Sequence, residues 1–144
     1  EDRYLMADVA TSSHPRFRIS RVEIDREGPT YTVETLELLQ RSLGDVELFF
    51  ITGADAVLEI LSWKDPQEVL RRAQFIACTR PGYDLDRLAK QLPEGLEDRV
   101  HVMEIPALAI SSTDIRRRVA EGRPIRYLVS EGVATYIEKS GLYR

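Results

Sequence analysis

Four places in this sequence combine residue types that could do chemistry. The first is Ile110-Ser111-Ser112-Thr113-Asp114-Ile115-Arg116. Hydroxyl residues there open a helical pattern, where free backbone N–H groups and the positive end of the helix dipole favour an anion. Ser112 and Arg116 are four apart and share a helix face, so a hydroxyl, amides and a guanidinium would point at one spot, an arrangement suited to phosphate oxygens. The same spacing also describes a plain Ser/Thr cap with a surface arginine. The second place is Thr52-Gly53-Ala54-Asp55. A glycine lets a ligand approach the backbone, and a carboxylate can accept hydrogen bonds from both hydroxyls of a ribose, or simply cap a helix. The third is Trp63, the only tryptophan. It is either a buried anchor or a stacking wall for a flat cationic ring. The fourth is Tyr31 and Thr32 after Gly28-Pro29, which could meet a carboxylate or cap a helix.

Other chemistries are poorly served. His14 and His101 are isolated, Cys78 has no evident partner, and no metal-ligand spacing is present. There is no Ser-His-Asp arrangement, Walker A loop or GxGxxG. Lysines and aromatics do not interleave as in a nucleic-acid platform.

The elements that must position these residues follow from the hydropathy pattern. Tyr4 to Ala10 has a helical pattern that ends at the turn cluster Ser12 to Pro15. Phe17, Ile19, Val22 and Ile24 predict an extended segment. A helix capped by Thr30 or Thr32 carries the stripe Val33, Leu36, Leu39 and Leu43 and stops at Gly44. Leu48 to Ile51 is a continuous apolar run of buried-strand type. Helical patterns follow at Val57 to Leu61 and after Asp65-Pro66, where proline suits a first turn. Phe75 to Cys78 predicts a strand, Arg80-Pro81-Gly82 a turn, Leu85 to Leu92 a helix, and Val100 to Ile105 a strand. A loop from Pro106 to Ile110 leads to helices over about 112–122 and 130–140. Alternation of strands and helices predicts a single α/β domain over 1–144 with a mainly parallel sheet. Ligands of such sheets gather at the C-terminal strand ends, so the stretches 52–55, 80–83 and 110–116 are expected to converge on one crevice.

Bulk properties fit that frame. The 144 residues are 43% hydrophobic and 31% charged, as in ordinary globular proteins. One cysteine excludes an internal disulfide framework, and the absence of a membrane-length apolar run or signal pattern makes the cytoplasm the expected compartment. The formal net charge of −4 argues against a polyanion-coating protein. Its distribution is uneven: residues 1–109 hold 13 Lys+Arg against 20 Asp+Glu, and residues 110–144 hold 7 against 4. A local basic patch on an acidic chain is what a small polyphosphate needs, although a solvated basic helix end would look the same. Glu1 has no initiator Met before it and Arg3 to Ala7 reads like a helix under way, so an upstream segment is expected.

Taken together, the stretches Arg21 to Leu36, Thr52 to Asp55, Ser62-Trp63, Thr79 to Tyr83, Ile110 to Arg116 and the ending Tyr127 to Arg144 resemble the bacterial nicotinate-nucleotide adenylyltransferase family, actinobacterial members above all. The resemblance covers nearly the whole chain. It implies a Rossmann-like, doubly wound nucleotidyltransferase fold and adenylyl transfer from ATP to nicotinate mononucleotide, giving nicotinate adenine dinucleotide and pyrophosphate in NAD biosynthesis. It implies that Ser112, Thr113 and Arg116 carry catalysis by holding ATP phosphates, with Ser111, Gly53 and Asp55 completing the ATP site. It further implies that Asp55 binds sugar hydroxyls, that Trp63 stacks on the nicotinate ring, and that Thr32, Tyr31 and the Trp63–Lys64 backbone receive its carboxylate. Mg²⁺ is implied as a partner of the ATP phosphates with no protein ligand. ATP and nicotinate mononucleotide are the implied partners, without nucleic acid or membrane, and a homo-oligomeric state is left open.

Two departures stand out. The family's Gly-rich loop ending in His-x-Gly-His is absent; by the family pattern it precedes Glu1, with the first strand and helix. Where many relatives have an aromatic after the tryptophan, this chain has Lys64, which leaves the ring's second contact open. The sister enzymes that adenylylate phosphopantetheine, and a non-catalytic nucleotide-binding module, are the competing readings.

Overall fold

Parallel pairing of three strands is the centre of the computed structural model, which describes residues 1–79, 90, 98–106 and 108–144. Strands β1 (Leu48–Gly53), β2 (Ala73–Thr79) and β3 (Val100–Glu104) lie in the order β1-β2-β3. The register pairs Leu48 with Ala73 and Gly53 with Cys78, then Phe75 with Val100 and Thr79 with Glu104. Parallel neighbours require crossovers, and the β1–β2 crossover carries α3 (Ala54–Leu58), a 3-10 turn at Ile60–Ser62 and α4 (Pro66–Arg72). The expected fold class is borne out. The chain divides into two compact units, one continuous (Asp25–Ala107) and one discontinuous (Glu1–Ile24 with Leu108–Arg144).

In the continuous unit, α2 (Thr32–Leu43) lays Val33 and Leu36 into a core with Val57, Ile60, Val69, Leu70, Phe75 and Ala77. Glycine ends α2 for a conformational reason: Gly44 has φ +80°, ψ −145°, a region closed to side chains with a Cβ. Pro66 opens α4 at its first position, preceded by Asp65 in the left-handed region (φ 49°, ψ 57°).

In the discontinuous unit, α1 (Asp2–Thr11), α5 (Ser112–Ala120) and α6 (Glu131–Ser140) surround Ile115, Ile125 and Ile137. Met6 of α1 packs on that cluster, and the Tyr136 hydroxyl donates to Asp2 at 2.8 Å. Glycine at 132 permits a close approach, since a Cβ there would overlap Val9 Cγ1.

Two expectations need correction. The run Leu48 to Ile51 is not buried on both faces: Phe50 packs inward, whereas Phe49 and Ile51 are 49% and 66% exposed. A continuous apolar run cannot distinguish a strand covered on both faces from one covered on one, and among the described residues it is the Phe50 face that packs on the core. Residues 17–24 form no strand: 17–21 are irregular, and the chain folds into a turn at 22–25, which interrupts the extended run that the alternation predicted. The turn at 80–82 and most of the helix at 85–92 lie outside the described residues.

Candidate active site

Helix α5 begins as its hydroxyl run predicts. Ser111 is the N-cap, with extended backbone (φ −129°, ψ 149°), and its Oγ accepts from the Asp114 N–H at 3.1 Å. The cap therefore belongs to Ser111, which leaves the Ser112 and Thr113 hydroxyls in the exposed first turn. Three consecutive arginines on this helix have different fates. Arg117 and Arg118 both pair with Asp114, the latter through Nε at 2.7 Å. Those guanidinium groups hold the Asp114 carboxyl below its ordinary range, Arg118 contributing most. Arg116 instead donates to Thr113 Oγ1 at 3.4 Å, and among the described residues no carboxylate pairs with it. The positive charge left for an external anion is thus on Arg116, beside a hydroxyl and a helix N-terminus.

Gly53 ends β1 and Asp55 lies in the first turn of α3. Gly53 has φ −70°, open to any residue, and a Cβ built on it would meet nothing within 4 Å. Neither its backbone nor its neighbours call for glycine. The open space beside it is available to a ligand approaching the backbone.

Trp63 follows the 3-10 turn and is partly buried against the core. Its ring lies 5.9 Å from Phe50 at 68° and 6.5 Å from Phe75. The anchor reading is therefore true of part of the indole, and the rest stays accessible. The next residue, Lys64, reaches the start of α2. Its Nζ is 4.2 Å from the Tyr31 ring centroid and 2.6 Å from Glu34 Oε1. Glu34 also pairs with Arg26. The Lys64 hydrogen bond, then the one from Arg26, hold the Glu34 carboxyl below its usual range; the same contact with Glu34 raises Lys64. Tyr31 is the N-cap of α2 by backbone position, its carbonyl accepting from the Glu34 and Thr35 amides at 3.1 Å, but it supplies no side-chain cap.

In the continuous unit the structure thus brings Lys64 against Tyr31 at the start of α2, which Thr32 opens, with Trp63 turned to Phe50 and Phe75. Ser111, Ser112, Thr113 and Arg116 share the first turns of α5 in the discontinuous unit. Sequence reasoning missed Arg26 and Glu34. Arg26 and Glu34 lie eight residues apart, outside helical spacing, and Lys64 lies 30 from Glu34, so neither pairing left a local signal.

Comparison with known proteins decides the family. The Cytidylyltransferase-like family matches residues 1–118. A probable nicotinate-nucleotide adenylyltransferase from Acidothermus cellulolyticus is 56% identical over 150 residues, spanning 100% of this chain and 70% of the relative. The chain belongs to the nicotinate-nucleotide adenylyltransferase family. A Streptomyces coelicolor protein of the same name is 55% identical, covering 100% of this chain and 74% of the relative. A Moorella thermoacetica member is 55% identical, with 100% and 68% covered. The fold is shared with the Plasmodium falciparum nicotinic acid mononucleotide adenylyltransferase complexed with APC, at TM-score 0.61 and 22% identity over 81% of this chain and 60% of that one. The chain thus spans about two thirds to three quarters of the length of its curated adenylyltransferase relatives.

Proposed function

We propose that this nicotinate-nucleotide adenylyltransferase family member transfers the adenylyl group of ATP to nicotinate mononucleotide, and that the residues above divide the two substrates between them. The observation that carries the reaction is whole-chain identity of 56% to a relative of that name. The geometry of α5 supports the donor half. Arg116, Ser112 and Thr113 are the groups assigned to the ATP phosphates, with Ser111 holding the helix start in shape. Gly53 and Asp55 are assigned to the nucleotide sugar and backbone approach. Trp63, Tyr31, Thr32 and Lys64 are assigned to the nicotinate ring and its carboxylate, with Asp55 also on the mononucleotide side. Both units are read as parts of one functional domain, residues 1–144, acting in the cytoplasm; among the described residues no helix is long and apolar enough to cross a membrane.

The chemistry needs little from side chains beyond placement. A phosphate oxygen of the mononucleotide attacks the α-phosphorus of ATP in line, a new P–O bond forms, and the bond to the β-phosphate oxygen breaks. Pyrophosphate leaves with the electron pair. The nucleophile is already an anion, so no general base or covalent intermediate is required, and rate enhancement comes from positioning and charge stabilisation. Mg²⁺ fits as a companion of the polyphosphate, where it would neutralise charge. Among the described residues no three His, Cys, Asp or Glu side chains are grouped to hold a metal themselves.

The test is pyrophosphate release from ATP by the full polypeptide with nicotinate mononucleotide or phosphopantetheine as acceptor. Turnover with the mononucleotide is expected. Turnover with phosphopantetheine alone ends this reading.

A further inference from the structure

An open cavity of about 870 Å³ lies in the discontinuous unit, bounded by the end of α5, the loop 122–129 and α6. Val119, Ala134 and Ile137, all in the second hydrophobic cluster, give it an apolar lining. Tyr127 lines it too, yet is 90% exposed, more than any other large apolar side chain among the described residues. Its backbone is left-handed, at φ 67°, a region that disfavours any residue with a Cβ. The surrounding turn is fixed: the Leu128 N–H donates to the Ile125 carbonyl at 3.1 Å, and Arg126 bridges Val129. The loop therefore holds an aromatic ring out into solvent, against backbone preference, beside a hole.

The charges around the hole are divided in a telling way. Arg123 is paired with Glu121 at 2.6 Å, and Arg144 donates to the Glu138 carbonyl at 3.1 Å. Arg126 on the loop and the carboxylates of Glu131 and Glu138, two turns apart on one face of α6, also line the cavity and form no ion pair among the described residues. A small anion would meet two carboxylates there, and a small cation a guanidinium. A partner carrying both signs fits, and this patch itself carries a projecting ring, a hole, a free cation and free anions. Two copies related by a two-fold axis bring each of these opposite its complement. We propose that this face is the contact with a second copy of the chain, Tyr127 of each copy entering the cavity of the other and Arg126 meeting the α6 carboxylates there. Two tyrosines supply about 300–500 Å² of buried surface. A stable interface needs roughly 1,200–2,000 Å², so the loop and α6 must supply the rest and the association is a weak one.

The test is sedimentation equilibrium of the full polypeptide across about 1–300 µM, the range of a weak association. The unaltered protein should pass from monomer to dimer within it. Tyr127→Gly removes the ring and suits the left-handed backbone, so the melting temperature should hold or rise while Kd increases at least about tenfold. Arg126→Glu alone, and Glu131→Lys with Glu138→Lys, should each weaken self-association by a similar factor, because like charges then face each other. Mixed together, these two charge variants restore both sets of opposite charges, and a heterodimer should form within about threefold of the original Kd. An unaltered protein that stays at monomer mass overturns the proposal and leaves the cavity to a small ligand or another part of the polypeptide. A dimer whose Kd is unmoved by Tyr127→Gly and Arg126→Glu overturns it as well, as does a mixture of the two folded charge variants that fails to associate.

Discussion

The Ser111 hydroxyl closes on the Asp114 amide at 3.1 Å, and Asp114 in turn engages Arg117 and Arg118 but not Arg116. One short polar chain thus stabilises the first turn of α5 and ties up its neighbouring arginines. Structure and catalysis are assigned to different side chains of the same turn. Ser111→Ala should cost about 1 kcal/mol of stability, the usual worth of an N-cap. Arg116→Ala should leave the melting temperature unchanged and lower kcat/KM for ATP by roughly a hundredfold, the scale of removing one charged contact to a transferring phosphate. Thermal melts alongside steady-state kinetics separate the two, and an unaltered kcat/KM in Arg116→Ala removes that residue from the ATP site.

Gly53 offers a sharper distinction between fold and ligand. Its φ of −70° and the empty space around it mean that Gly53→Ala should not destabilise the protein. Loss of backbone freedom in the unfolded chain should instead stabilise it by about 0.5 kcal/mol. If a nucleotide uses the space, its KM rises several-fold in the same variant. Denaturant titration and nucleotide kinetics on one sample decide the matter.

Trp63 contacts Phe50 and Phe75, so its removal should register twice. Trp63→Ala should cost about 2 kcal/mol, less than a fully buried aromatic because the indole is only partly enclosed. It should also weaken the mononucleotide more than ATP, whereas Phe75→Ala, at a fully buried position, should cost about 3–5 kcal/mol with no substrate bias. Equal effects of Trp63→Ala on both substrates would reduce it to a core residue.

The Glu34–Lys64 pair makes a signed prediction for pH. Glu34 is depressed in the folded protein, so its contribution is present above the unfolded carboxyl value and lost as pH falls through the folded one. Lys64 is raised, so its contribution is present below the unfolded amine value and lost as pH rises through the folded one. Asp114 adds a second acid-side contribution of the Glu34 kind. Glu34→Gln should flatten the acid limb of a melting-temperature profile between about pH 5 and pH 2 and leave the Asp114 share in place. An acid limb unchanged by that variant would show that the pair is not formed in solution.

Much of the framework is legible in the sequence because local chemistry dictates it. Gly44 and Pro66 mark helix boundaries through backbone constraints, and the runs at 48–51 and 75–78 cannot be solvated loops. Exposure of Phe49 and Ile51 is not legible, since it depends on which sheet face receives helices. The Phe17 to Ile24 pattern is equally mute about the turn that the chain makes at 22–25. At the site, Ser111 and Ser112 were both visible as hydroxyls, but only geometry assigns the cap to one of them. Trp63 carried two readings that the structure reconciles by burying one part of the ring. The link from Lys64 through Glu34 to Arg26 required the fold itself.

The discontinuous unit has a consequence for synthesis on the ribosome. Met6 of α1 packs on a cluster whose other members, Ile115 onward, emerge more than a hundred residues later. Residues 25–107 can complete their own core meanwhile, whereas α1 must wait with its apolar side uncovered until α5 and α6 are made. A ribosome stalled before residue 131 would therefore hold a chain whose strands β1 to β3 are made while α1 still lacks its partner α6, a natural client for a chaperone.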